Sequence, residues 1–149
     1  MDVLAILKQK SRPVYTVTDD QTVDDAINLM AAKNASVLIV TAMEQPAGIF
    51  AERDVFRYYV LDRKSGFSDI KLKRAVTRRL ISAQTTDEIP DLITMMIQSD
   101  LEYLPVVADN EIIGVLALID LIEYQIESLT QEINQLEDYI DDLHAAGQD

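Results

Sequence analysis

Two stretches of this chain place a glycine six residues ahead of an aspartate, Gly48-Ile49-Phe50-Ala51-Glu52-Arg53-Asp54 and Gly114-Val115-Leu116-Ala117-Leu118-Ile119-Asp120. A glycine inside a strand lets a ligand or another backbone approach closely. A carboxylate one turn into the following helix can accept hydrogen bonds from paired donors. The same residues also have ordinary structural uses. Asp54 and Asp120 suit the exposed N–H groups and positive dipole end of a helix start, and Gly48 and Gly114 could close turns that lead into strands. Arg53 can grip a phosphate with two donors, or it can pair with Glu52 on the surface. Acidic residues are plentiful but show no paired acid-base arrangement, and His144 has neither a nucleophile nor a metal cluster for company. The residues therefore argue for a binding protein, not an enzyme, and provide no catalytic cofactor site.

The elements that must position these residues come twice. A shift of 66 residues lays the chain on itself without a gap, matching Asp25 with Asp91, Ile27 with Ile93, Met30 with Met96, Leu38 with Leu104, Val40 with Val106 and Tyr58 with Tyr124. Such self-similarity marks a tandem repeat. In the first copy, Val14 to Val17 reads as an extended segment. Thr22 with Asp25 forms a capping-box start. Val23, Ala26, Ile27 and Met30 then line one face of a helix that Asn34 stops. Val37 to Val40 reads as a buried strand, Glu44 to Pro46 as a turn, Gly48 to Phe50 as a second strand, and a helix begins near Glu52. The second copy follows through Ile89, Leu92, Ile93 and Met96, then Leu104 to Val107, the Asp109-Asn110 turn and Ile112 to Leu116. Each unit is strand, helix, strand, strand, helix. About 50 residues bury too little surface to stand alone, so the copies should pack together around shared apolar faces.

Composition bounds the function. The chain has 149 residues, 48% of them hydrophobic, and no cysteine. A disulfide framework, a thiolate nucleophile and a cysteine-type metal site are thereby excluded, and a reducing, cytoplasmic setting is expected. Val3 to Leu7 is too short an apolar run for a signal-peptide core, and no run reaches the roughly 18 residues of a membrane span. Val3, Leu4 and Leu7 read instead as one face of an N-terminal docking helix within residues 1–13. All Lys and Arg residues lie at or before Arg79, so residues 1–79 carry a net charge of +3 and residues 80–149 carry −16. The basic segment Lys71, Lys73, Arg74, Arg78 and Arg79 lies in a linker, residues 62–79, and has no interleaved aromatics. It reads as a solvated face and not as a nucleic-acid site.

These features resemble the cystathionine-β-synthase (CBS) domain family, in its tandem-pair form and most closely its small stand-alone bacterial type. Gly48 to Asp54 is similar to the family's Gly-apolar-apolar-Ser/Thr-x-x-Asp segment, and Leu104-Pro105-Val106-Val107 to its Leu-Pro-Val-Val strand. The resemblance implies an α+β fold of two β-α-β-β-α units, residues 14–61 and 80–124, packed as an intramolecular pseudo-two-fold pair with a long C-terminal helix. It also implies clefts that sense AMP, ADP, ATP, NADH or S-adenosylmethionine. Ligand-binding positions carried over are Gly48, Ala51, Arg53, Asp54, Pro105, Gly114, Ala117 and Asp120, with the two aspartates on a ribose diol and the two glycines beside a purine. Departures are equally visible. Ala51 and Ala117 replace the expected hydroxyls, and Glu102 and Tyr103 stand where relatives often carry basic residues. The second repeat supplies no cation of its own, so a phosphate would have to reach Arg53, Arg57 or the linker. A ligand-free dimerisation or scaffold protein is the alternative reading.

The C-terminal segment, residues 125–149 with the turns before it, carries a heptad seam. Ile119, Ile126, Ile133 and Ile140 alternate with Ile122, Leu129, Leu136 and Leu143. Ile at the first position and mostly Leu at the fourth favour a parallel two-stranded coil, although the same stripe could pack on the protein's own body, or on the equivalent helix of another subunit without true supercoiling. A homodimer through the repeats and this helix is expected, together with a regulated protein partner. The acidic flanks should make association strengthen with salt or low pH. Tyr124 and Tyr139 read as buried aromatics, with a partner-facing position as the alternative.

Overall fold

A computed structural model describes residues 3–10, 12–61, 70–75 and 80–147. The elements are α1 (Val3–Lys10), β1 (Thr16–Thr18), α2 (Val23–Lys33), β2 (Val37–Ala42), β3 (Gln45–Ala51), α3 (Glu52–Leu61), α4 (Leu72–Ala75), β4 (Ala83–Gln84), α5 (Ile89–Gln98), β5 (Tyr103–Ala108), β6 (Glu111–Ala117) and α6 (Leu118–Ala146). The 66-residue shift survives in three dimensions: α2 and α5, β2 and β5, β3 and β6, and α3 and α6 all start at equivalent residues. Two three-stranded sheets result, ordered β1-β2-β3 and β4-β5-β6. The chain divides into a unit of residues 12–83 and 105–115 and a unit of residues 1–11, 84–104 and 116–149.

In the first unit β1 pairs parallel to β2, with Val17 beside Val40, and β2 pairs antiparallel to β3, with Val40 beside Gly48. The capping box forms as expected: Asp25 N–H donates to Thr22 Oγ1 at 3.1 Å and Thr22 N–H donates to Asp25 Oδ2 at 3.0 Å. Asn34 ends α2 in the left-handed region, φ 50°. Val23, Ala26 and Met30 are buried with Val17, Leu38, Val40 and Phe50, while Ile27 packs at the margin. Ile70 and Leu72, which lie in the segment read from the sequence as a linker, complete this core. They are held there by bonds from Val23 N–H to Ile70 O, 2.9 Å, and from Leu72 N–H to Gln21 O, 2.8 Å. Tyr58 on α3 adds an O–H donation to Ala75 O at 2.9 Å. Lys71 and Lys73 are exposed, whereas Arg78 and Arg79 lie outside the described residues.

Three expectations need correction. The first hairpin turns at Met43-Glu44, not Glu44 to Pro46, and β3 runs from Gln45 to Ala51, longer than Gly48 to Phe50. Pro46 is tolerated because β3 is an edge strand and its pairing is irregular between Val40 and Thr41, the setting in which a strand can lack an N–H. In α1 the buried face is Val3 and Ile6, while Leu4 is exposed. Tyr139 is exposed and Tyr124 only partly covered.

In the second unit, α6 packs against α1 and α5. It is one continuous helix of 29 residues, so the junction at residue 125 falls inside it. Its body-facing stripe is Leu118, Leu121, Ile122, Gln125 and Ser128, with Leu121 fully buried. Beyond Ser128 every described residue is exposed.

Candidate functional site

The first corner is built where β3 hands over to α3. Gly48 is buried mid-strand opposite Val40. No described glycine has a positive φ, so Gly48 and Gly114 are strand residues and not turn closers. Ala51 ends the strand and Glu52 opens the helix, its N–H donating to Ser36 O at 3.1 Å. Asp54 then reaches back, with Ala51 N–H donating to its Oδ2 at 2.8 Å. This is one half of a capping box. The other half requires a hydroxyl at position 51 to accept from the backbone N–H of residue 54, and alanine has none. The Asp54 carboxylate thus has a structural use, and it retains acceptor capacity beyond its bond to Ala51. Asp54 and Arg53 are half-exposed and Arg57 is exposed.

The second corner repeats the backbone and changes the surroundings. Gly114 and Ala117 are buried in β6, and Leu118 N–H donates to Glu102 O at 2.8 Å, the counterpart of the bond from Glu52 to Ser36. Asp120, however, is only 3% exposed. Lys10 from α1 lies 3.9 Å from Asp120 Oδ1 and 3.0 Å from Glu123 Oε2. The second repeat supplies no cation of its own, as expected, but it receives one from the N-terminal helix, a source the sequence reading did not include. Lys10 continues the Val3–Ile6 face at helical spacing, so the signal was present but was hidden by reading Leu4 and Leu7 as the face.

Pro105 has a visible structural consequence. Its counterpart in the first repeat, Ile39, donates its N–H to Tyr15 O at 2.9 Å. Proline cannot make the equivalent bond, and β4 is correspondingly shorter than β1, Ala83–Gln84 against Thr16–Thr18. Pro105 is buried in the central strand of its sheet. Glu102 is exposed. Among the described residues no cluster of metal-ligating side chains occurs, and no helix is long and apolar enough to cross a membrane.

Comparison with known proteins agrees with this architecture. The CBS domain family model matches twice, over residues 6–61 and 68–127. The mitochondrial CBS domain-containing protein CBSX3 of Arabidopsis thaliana is 27% identical over 83% of this chain, which spans 62% of that protein's length. A solved putative signal-transduction protein with CBS domains from Burkholderia ambifaria is 30% identical, with a TM-score of 0.74 over 85% of this chain and 95% of that one. A CBS domain protein from Pyrobaculum aerophilum, solved in complex with AMP, shares the fold at 19% identity, with a TM-score of 0.68 over 80% of this chain and 89% of that one. Proteins of this kind are generally regulatory ligand-binding modules and not enzymes. The repeated corner, the paired three-stranded sheets and these matches together place the chain in the CBS domain family, as a tandem CBS pair.

Proposed function

We propose that this chain is a regulatory module that senses an adenine nucleotide or an NAD(H)-type ligand, and that the first corner is its working site. The observation that carries the reading is the contrast between the two aspartates. Asp54 is half-exposed, with Arg53 beside it in sequence, whereas Asp120 is buried and faces Lys10. A ribose diol needs an accessible carboxylate with lone pairs to spare, and a phosphate needs a nearby bidentate donor. The AMP carried by the Pyrobaculum protein on the same fold supports the choice of ligand class. Binding would act by favouring one of two arrangements of a homodimer, through a difference in affinity between them.

A ligand-free scaffold is the second reading. It is favoured by Ala51 and Ala117, which remove a hydroxyl from both corners, and by the bond that ties Asp54 to Ala51 N–H. A thermal-shift titration with AMP, ADP, ATP, NADH and S-adenosylmethionine separates the two. A ligand confined to the folded state should stabilise by about 2.7 kcal/mol at roughly 100 times its Kd. Sensing requires one of these ligands to raise the melting temperature of the wild type and to lose that effect in Asp54→Ala and in Arg53→Gln, each measured against its own unliganded baseline. No rise at millimolar concentration leaves the scaffold. Binding gained only in the Ala51→Ser, Ala117→Thr double variant would identify sites that have decayed.

A further inference from the structure

The exposed seam of α6 carries an inference that does not depend on any ligand. Ile119, Ile126, Leu129, Ile133, Leu136, Ile140 and Leu143 are between 47% and 61% exposed. They are not the residues that α6 uses against its own unit, because Leu118, Leu121, Ile122, Gln125 and Ser128 form that stripe and it ends at Ser128, with Ile122 the one heptad position it shares. The helix therefore has two separate faces, one satisfied and one bare. A rise of about 1.5 Å per residue makes it roughly 43 Å long, and its described residues beyond Ser128 are all exposed. A helix of that kind depends on covering its apolar face.

We propose that this face is covered by α6 of a second copy, in a parallel, in-register two-stranded coiled coil. With Ile119, Ile126, Ile133 and Ile140 at a and Leu129, Leu136 and Leu143 at d, the core shape is the one that selects parallel dimers. Charge placement selects the occupant. Asp120, Glu127, Asp138, Asp141 and Asp142 fall at b, c and f, away from the seam, and Glu123 is engaged by Lys10 at 3.0 Å. Along the exposed part of the helix the flanking g and e positions instead set Tyr139 against His144 of the other copy. Only Glu132 and Glu137 oppose like charge. A helix meant for a basic partner would carry its acids at e and g, where this one is mostly uncharged. An anionic membrane surface is equally ill matched to a helix without a single Lys or Arg. In an antiparallel pairing that aligns a with d, Glu132 meets its own copy and Glu123 meets Glu137 twice, a worse arrangement.

Because the natural chain has no cysteine, a single introduced thiol reports the geometry without background. The full-length Leu136→Cys variant should convert mostly to covalent dimer under mild oxidation, while Gln135→Cys, one position off the seam, should link at least ten-fold more slowly. Glu137→Lys, added to Leu136→Cys, should slow exchange with unlabelled chains several-fold by turning the Glu132 contact into an attractive one. Equal linking at 135 and 136 would overturn the proposal, as would no linking at 136. Linking only between Ile126→Cys and Leu136→Cys chains would overturn the parallel arrangement. Linking abolished by an excess of another protein, with no self-association of the purified chain, would replace the second copy by a foreign helix.

Discussion

Thr22 and Asp54 make the two complementary bonds of the capping motif, Thr22 Oγ1 accepting from the Asp25 N–H and Asp54 Oδ2 from the Ala51 N–H, and this allows structure and ligand binding to be separated at single residues. Thr22→Ala removes a side-chain acceptor from the start of α2 and should lower stability by about 0.5 to 2 kcal/mol, measured by urea denaturation, while leaving any adenine-ligand shift intact. Asp54→Ala should cost a similar amount through the lost Ala51 N–H bond and should also abolish the shift. If both variants keep the shift, the carboxylate at position 54 is a cap alone. Asp20 gives a test by pH. The Thr18 hydroxyl donates to its carboxylate, and Lys71 and Lys73 lie nearby, so its pKa is held below the ordinary value. A depressed carboxylate contributes stability above the unfolded value of about 3.9 and loses it as pH falls through the folded pKa. The melting temperature of the wild type should therefore exceed that of Asp20→Asn at pH 7, and the gap should close below about pH 4. A gap that is constant with pH would mean that the amide disrupts packing and that charge has no part in it.

Among the elements, the two hairpins show why some of the fold was legible and some was not. Asp109-Asn110 reads as a turn because both residue types tolerate the left-handed region, and they adopt φ values of 52° and 63°. Met43-Glu44 occupies the same turn with the same two angles, yet neither residue type announces it, so Pro46 drew the expected turn too far along the chain. The register of the repeat, and not local propensity, is what holds that turn. Both residues bear the left-handed penalty, and Met43 is 98% exposed, with no packing to offset it. Replacing the pair by Asn-Gly should raise stability by about 1 to 2 kcal/mol, seen as a higher urea midpoint at unchanged slope. An unchanged midpoint would show that the strain is relieved elsewhere in the hairpin. The buried faces of α2 and α5 were legible because apolar spacing is a direct record of burial. The contributions of Ile70, Leu72 and Lys10 were not, since each depends on which distant segment folds back onto a helix. Position 51 was legible as a departure, but only the structure shows that the loss leaves half of a capping box.

For the chain as a whole the governing quantity is charge, −13 in total with +3 on residues 1–79 and −16 on residues 80–149. Two long-range effects oppose each other. Attraction between the basic and acidic portions favours the folded chain and weakens with salt, whereas the excess of negative charge repels itself and also weakens with salt. Self-repulsion is the stronger of the two, because the acidic surplus is several times the basic one. The seam of α6 adds a like-charge contact between Glu132 and Glu137 once two copies meet. Raising the salt concentration from about 0.02 to about 0.3 M, where the screening length falls below about 10 Å, should therefore raise the melting temperature and also increase the dimeric fraction at fixed protein concentration. Glu137→Lys separates the two responses. It should flatten the salt dependence of association while leaving most of the salt dependence of melting, because one substitution in each copy changes the local contact far more than the global charge. A melting temperature that falls with salt would mean that attraction between the two portions of the chain outweighs self-repulsion, and would point to the basic segment as part of the folded structure's own charge balance.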